Sequence, residues 1–406
     1  VVVFVALAWV LSHNRRVFPW RTVLWGLGLQ FIFAVLILKT SLGRRVFDLA
    51  ELAVTRLLGF ANQGAQMVFG PLAKDALLAA KWGPENAYIF AVTISATIIV
   101  VSALSALLYH WGVLQQVVRA AAWVMQRAMR TSGSESLAAA ANIFMGMTEA
   151  PLVIRPYLAG MTRSELLALM TGGMATIAGG VMAAYVSFGV SAGHLLTASV
   201  MSAPAGLMIA KIMLPETEPS ETAAGAPARV RRETTNSLDA LCRGAGDGMM
   251  LALNVMAMLI AFVAAIALAN YLLGWPQRRL GVAEPVTLQA IFGWLQAPFA
   301  WFIGVPARDC LSIGQVLGER VALNEFIGYL SLARMDKQGL VEPRSFVLAT
   351  YALCGFANLA SIAIQIGGIS TLVPARRKDL AQLGFRSMLG GLLACYITAA
   401  IAGVLL

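Results

Sequence analysis

Long apolar runs dominate the chain, and the places where they break carry most of the information. Residues 1–11 are apolar but short, which predicts the remaining part of a first membrane span. Residues 20–38 and 88–108 are each long enough to cross a hydrocarbon core of about 30 Å as a helix. Between them, Val46, Phe47, Ala50, Val54, Leu57 and Leu58 recur at helical spacing, with Arg45, Asp48, Glu51 and Thr55 in the intervening positions. That pattern predicts a helix lying in the membrane interface. Residues 113–130 repeat it, with Arg119, Arg127 and Arg130 on the polar face.

The remainder alternates interrupted and uninterrupted segments. Residues 132–157 are apolar but broken by Gly146, Thr148, Glu149 and Pro151. Residues 166–188 are span-length yet carry Gly172, Gly173, Gly179 and Gly180, and 195–214 predict a span kinked at Pro204. Residues 215–237, rich in Glu, Thr, Ala, Pro and Arg, read as a soluble linker, extended to 246 in the domain division. An uninterrupted span follows at 247–273, then an aromatic, proline-containing interfacial segment at 288–303. Residues 310–332 are interrupted around Asn324-Glu325-Phe326, 346–372 are broken at Gly355-Phe356-Ala357-Asn358, and 387–406 form the last span. The expected fold is an all-α polytopic membrane protein with eight transmembrane helices, two re-entrant hairpins and interfacial helices.

Composition agrees. Of 406 residues, 59% are apolar and 12% charged, about half the charged fraction of a soluble domain. The net charge of +10 reads as basic cytoplasmic loops rather than a nucleic-acid surface, with His13-Asn14-Arg15-Arg16 marking one loop and Arg376-Arg377-Lys378 another. Both chain ends are then expected on the face opposite the cytoplasm. Without an initial methionine, the expectation is a first span that has lost its beginning. No small-residue cleavage site follows the first run, which argues against a signal peptide. Cys242, Cys310, Cys354 and Cys395 are scattered without metal-type spacing.

Two triplets rhyme. Each has an interrupted hairpin with a carboxylate (Glu149, Glu325), then a broken helix, then a plain span. Glu149 precedes Thr176 by 27 residues, and Glu325 precedes Gly355 by 30. Broken helices in corresponding positions of two halves point to a transporter binding site, because freed backbone groups are tolerated only inside protein or beside a watery cavity. Close helix packing by glycine is the plainer explanation of any one such segment. A carboxylate deep in a span costs about 3 kcal/mol and is functional by default, unless paired with a nearby arginine such as Arg155 or Arg320.

With these residues assembled, the chain resembles the concentrative nucleoside transporter family. The motifs are Gly146-Met147-Thr148-Glu149-Ala150-Pro151-Leu152, Ile154-Arg155-Pro156-Tyr157, Ala175-Thr176-Ile177-Ala178-Gly179, Ala322-Leu323-Asn324-Glu325-Phe326 and Cys354-Gly355-Phe356-Ala357-Asn358, continuing through Ile364-Gln365-Ile366-Gly367-Gly368. Bacterial members commonly carry Gln where this chain has Met147. The resemblance implies a homotrimer in the bacterial inner membrane, with inverted repeats and an elevator-like transport domain (131–214 and 304–406) moving against a scaffold (1–130 and 247–303). It implies a nucleoside substrate co-imported with Na⁺, or with H⁺ in some members.

Ribose contacts are implied at Glu325, Phe356, Asn358 and Ser361, and base contacts at Gly146, Met147, Thr148, Glu149 and Val181. Sodium ligands are implied at Asn142, Met145, Thr176 and Ile177. Asn142 could instead cap its hairpin arm. A Gln at position 147 could hydrogen-bond a pyrimidine edge, whereas Met147 packs against a larger ring. Met147 and Val181 together suggest a purine preference, unless Met147 is neutral in a broad site. An intramembrane enzyme using Glu149 and Glu325 as an acid–base pair is the alternative from another class. It lacks a nucleophile–base arrangement, since His13, His110 and His194 lie outside the interrupted segments, so the chain is expected not to be an enzyme. A channel would not need carboxylates at two hairpin turns.

Overall fold

The computed structural model describes residues 1–83, 89–225 and 234–406, and within these every regular element is helical. The chain opens with α1 (Val2–Val10), α2 (Trp20–Lys39) and α3 (Ser41–Phe69). Helix α3 is much longer than the expected interfacial segment. Thr40 starts it by accepting the Gly43 N–H at 3.0 Å. After the short α4 (Asp75–Trp82) comes α5 (Phe90–His110). Tyr88, the expected first residue of that span, lies outside the described residues. The amphipathic α6 (Val113–Met129) follows.

The interrupted segments all break where polar residues and glycines cluster. The first hairpin is α7 (Gly133–Asn142), an irregular turn over residues 143–149, and the single-turn α8 (Ala150–Val153). The first broken helix is α9 (Arg163–Ala175) and α10 (Gly179–Ser187), and α11 (Ala192–Met213) carries Pro204 internally. Helices α7 and α9 begin alike. Ser132 and Glu135, and likewise Thr162 and Glu165, exchange side-chain and backbone bonds in capping boxes that satisfy otherwise orphaned N–H groups.

The long α12 (Ser237–Arg279) and α13 (Leu288–Ile303) lead to the second hairpin, α14 (Cys310–Ala322) and α15 (Glu325–Lys337). The second broken helix is α16 (Pro343–Leu353) and α17 (Leu359–Leu372), and α18 (Arg377–Leu405) ends the chain.

The linker departs from expectation at both ends. Residues 226–233 lie outside the described residues. Before them, Thr222 is buried and tied to α7, its carbonyl accepting the Gly133 N–H at 2.9 Å. After them, Asn236 caps α12 by accepting the Asp239 N–H at 2.8 Å, so 237–246 are helix rather than linker. Two glycines in this part of α12 are packing residues. Ala240, Gly244, Gly248 and Ala252 form one buried stripe. A Cβ on Gly248 would come within 2.8 Å of the Ile99 Cα, and one on Gly244 within 2.7 Å of the Ser102 carbonyl. Small residues at four-residue spacing let α12 and α5 approach backbone to backbone.

Among the described residues, six helical stretches are long and apolar enough to cross a membrane: Trp20–Lys39, Phe90–His110, Arg163–Ser187, Ala192–Met213, Ser237–Arg279 and Pro374–Leu405. The other two expected spans are the nine-residue α1 and the α16–α17 pair. Burial sorts the six. The apolar window of α11 is 89% buried, whereas that of α12 is 11% buried. Helices α9, α11 and α18 thus form a protein-enclosed core, while α12 and α5 stand beside it. Helix α2 packs along α11, and α5 along α10 and α12. A buried ion pair, Lys211 Nζ to Glu135 Oε2 at 2.7 Å, ties α11 to the first hairpin.

Candidate functional site

The two broken helices meet at their breaks. The Phe356 N–H donates to the Thr176 carbonyl at 3.3 Å, joining the α16–α17 gap to the α9–α10 gap. Gly355 makes the crossing possible, because a Cβ there would sit 2.7 Å from both the Met174 carbonyl and the Cys395 Sγ. The first hairpin closes on the same place. Gly179 N–H donates to the Phe144 carbonyl at 3.1 Å, and a Cβ on Gly368 would meet the Thr148 Cγ2 at 2.8 Å.

Glu325 is the best-organised carboxylate there. It is 4% exposed and opens α15 directly after the break at Leu323-Asn324. Tyr185 Oη donates to its Oε1 at 3.0 Å, and Asn358 Nδ2 donates to its Oε2 at 3.1 Å. Asn358 uses its other amide atom to cap α17, Oδ1 accepting the Ser361 N–H at 2.9 Å. Thus Asn358 and Ser361 are brought together as cap and first turn, not merely as neighbours on a helix face. Neither Arg155 nor Arg320 hydrogen-bonds this carboxylate. Phe356, in the break between α16 and α17, is half-buried.

The first-triplet residues converge as well. Glu149 Oε2 accepts the Gly146 N–H at 3.2 Å, and Thr148 and Glu149 keep exposed surface. Met147 and Val181 are buried. Gly173 supplies the room for Met147, since a Cβ at 173 would lie 2.8 Å from the Met147 Cβ and 2.6 Å from the Gln365 Nε2.

Asn142 is buried at the end of α7, and neither of its amide atoms has a hydrogen-bond partner among the described residues. It therefore does not cap the hairpin arm. An orphaned buried amide oxygen suits a hard cation. The Thr176 hydroxyl donates to the Gly172 carbonyl at 2.9 Å, leaving its oxygen lone pairs available. Among the described residues no backbone N–H donates to the Met145 or Ile177 carbonyls, which lie in the turn and the break. These four donors, one amide, one hydroxyl and two carbonyls, fit a sodium ion in chemical type.

Sequence reasoning gave no site role to three buried polar residues near the breaks, of which Gln365 was quoted only within the family motif. Tyr185 lies one helical turn beyond Val181, a spacing that places both on one face of α10. Gln365 donates to the Met170 carbonyl at 2.9 Å, with its Oε1 buried and unpartnered among the described residues. Thr171 likewise has an unpartnered buried hydroxyl. Each is a polar side chain within an apolar run, which was the available signal. His194 takes no part, as its Nδ1 lies 3.2 Å from the Tyr351 hydroxyl at the start of α11.

Enclosed broken helices that cross at their breaks, with the buried carboxylate of Glu325 beside the crossing, are the architecture of a membrane transport protein. Comparison with known proteins agrees. Residues 194–403 match the family model for the Na⁺ dependent nucleoside transporter C-terminus, 1–72 that for the N-terminus, and 91–192 a nucleoside recognition (gate) model. An uncharacterized transporter of Haemophilus influenzae is 43% identical, over 99% of this chain and 95% of its own. The sodium/nucleoside cotransporter 2 of Rattus norvegicus is 37% identical over 99% of this chain, which spans 61% of that longer protein. The solved structure of CNTnw in an inward-facing substrate-bound state superposes with a TM-score of 0.93 at 39% identity, covering 99% of this chain and 95% of that one. The chain belongs to the Na⁺-dependent nucleoside transporter family, whose members are transporters and whose coupling ion is sodium.

Proposed function

We propose that the protein is a secondary active symporter that imports nucleosides with Na⁺, prefers purine nucleosides, and works by an elevator-type alternating-access cycle as a homotrimer in the bacterial inner membrane. The observation that carries this reading is the Tyr185–Glu325–Asn358 assembly at the crossing of two broken helices. A buried carboxylate with amide and hydroxyl neighbours is suited to the hydroxyls of a neutral sugar. Glu325, Asn358 and Ser361 are the proposed ribose contacts, with Phe356 against the apolar face. Gly146, Met147, Thr148, Glu149 and Val181 are the proposed base contacts, and Asn142, Met145, Thr176 and Ile177 the sodium ligands.

In this reading α7–α8 and α14–α15 are re-entrant hairpins within inverted repeats, and α1 and the α16–α17 pair complete eight spans. Residues 131–214 and 304–406 carry the substrate. Scaffold spans come from 1–130 and 247–303, and the exposed, glycine-paired α12 and α5 suit a stationary wall. Sodium bound by the first hairpin and first break would organise the loop that carries the base contacts. Ion and substrate binding are thereby coupled through one backbone.

The test is uptake of labelled adenosine into proteoliposomes with an imposed sodium gradient. Accumulation above the external concentration supports the symporter, and equilibration without accumulation overturns it. Specificity is tested by competition. Adenosine, inosine and guanosine should outcompete cytidine and thymidine, and Met147→Gln should move the order towards pyrimidines, by about tenfold for one gained hydrogen bond. If cytidine competes as well as adenosine in the unaltered protein, the purine assignment is wrong.

A further inference from the structure

Helix α11 begins without a cap of its own. Ser191 directly precedes it, yet among the described residues the Ser191 side chain accepts no N–H of the first turn. The orphaned N–H groups of a helix start are ordinarily met by such a local hydroxyl. Here a carboxylate 140 residues away supplies the acceptor. Glu51 Oε2, on α3, accepts the Ser191 hydroxyl at 2.9 Å and the Gly193 N–H at 3.3 Å. A carboxylate at this place also faces the positive end of the α11 dipole. Phe47, one turn before Glu51 on the same side of α3, completes the contact. A Cβ on Gly193 would lie 2.4 Å from the Phe47 ring, and that ring meets the His194 ring edge-on with centres 5.1 Å apart. The grip extends to the second break, because His194 Nδ1 lies 3.2 Å from the Tyr351 hydroxyl and the Cys354 thiol donates to the Leu195 carbonyl at 3.7 Å. Two turns further along α3 the packing opens. Leu58, Gly59 and Asn62 line a cavity of about 340 Å³ with Thr93 and Thr97 of α5 and Ser187 at the end of α10. Helix α3 thus grips the start of α11 and stands off from the end of α10.

We propose that Glu51 is a latch: in this state it holds the start of α11 to α3, and it releases before the substrate-carrying unit moves. The inference rests on the division into scaffold and substrate-carrying unit put forward above, since α3 falls in the first and α11 in the second. The chemistry of the contact makes it reversible. While Glu51 is in place, the Ser191 hydroxyl is turned towards it as a donor. Once Glu51 withdraws, the same hydroxyl is free to turn back and accept from the first-turn N–H groups of its own helix, as an N-cap serine does. The start of α11 is therefore satisfied in both arrangements, by Glu51 in one and by Ser191 in the other. Two alternative sets of hydrogen bonds at one helix end let an interface exchange between two discrete packings without leaving a buried donor unpaired in either. Phe47 and the Gly193 surface add an apolar contact that parts along the same plane, since Gly193 has no side chain to interlock with the ring.

The test fixes the contact and then removes it. Cys242, an exposed thiol, is first replaced by Ser. Glu51→Cys and Ser191→Cys are added to that protein and joined by a bifunctional methanethiosulfonate. The linked protein should still bind adenosine in detergent with saturating sodium, read by calorimetry. In proteoliposomes it should take up no labelled adenosine until a reductant cleaves the link. Removal of the latch is tested with Glu51→Ala and with Ser191→Asp, which sets a like charge against Glu51 and caps α11 locally. Both should bind adenosine and shift the maximal uptake rate in the same direction, by about threefold or more, because the latched state loses its stabilisation relative to the released one. Failure of the two thiols to link, full uptake by the linked protein, or unchanged uptake rates in both single variants overturns the proposal. The unaltered protein, measured alongside, keeps this distinct from the symport reading. If it binds adenosine and never accumulates it, that reading fails. If it accumulates adenosine and the linked protein does so equally, the latch alone fails.

Discussion

Asn358 does two jobs with one amide: its oxygen caps α17 and its nitrogen holds Glu325. Truncation to Ala loses a cap worth about 1 kcal/mol and a charge-assisted bond worth about 1.5–3 kcal/mol. Asn358→Ala is therefore expected to lower nucleoside affinity at least tenfold while lowering the thermal midpoint only modestly. Calorimetry and a melting curve on the same sample check both halves. Asn142 makes the opposite trade, being buried with no partner. Replacing it by Leu removes an unsatisfied amide, so Asn142→Leu should be no less stable than the unaltered protein in sodium-free buffer. What it should lose is sodium stabilisation, which for a single site at a hundred times its dissociation constant is about 2.7 kcal/mol. A sodium-induced rise in melting temperature that survives in Asn142→Leu would remove that residue from the ion site.

At the scale of elements, breaks and stripes do different work with the same small residues. In α9–α10 and α16–α17 the chain leaves helical geometry, freeing carbonyls near Thr176 and Cys354. In α12 the glycines stay helical and only thin the surface that meets α5. Gly248→Leu should therefore force these two helices apart, since the added side chain would meet the backbone at Ile98 and Ile99, which has no slack, and the Ser102 Cβ. We expect reduced yield of monodisperse protein and a cost above about 2 kcal/mol, read by thermal unfolding. Gly246→Leu, two residues away with open space around it, is the matched control and should behave normally.

Across the whole molecule, the candidate substrate and ion ligands lie on the two hairpins and at or beside the two helix breaks, while the exposed, strongly apolar α12 carries none. This segregation supports the proposed cargo-holding unit beside a separate wall. The corresponding prediction concerns the driving ion. Replacing external Na⁺ by choline should abolish concentrative uptake at pH 7.5, and an imposed proton gradient should not restore it. Restoration by acid outside would assign proton coupling and turn Asn142, Met145, Thr176 and Ile177 into structural residues.

Much of this protein is written locally. The places of the apolar segments, the amphipathic faces of α3 and α6, and the breaks follow from helical periodicity, proline and glycine, because in a membrane each backbone group must be satisfied within its own segment, although α3, α12 and α18 run beyond the expected bounds. The motifs around Glu149 and Glu325 likewise identified the family before any coordinate. Local pattern set the end of the linker at the start of the long apolar run, so the more polar first turns of α12 read as linker. Nor could it pair Tyr185 with Glu325, 140 residues apart, or leave Asn142 without a partner among the described residues. Those are decided by which helices cross and how closely. A side chain's partners across 140 residues are a property of packing, and only the tertiary structure holds that information.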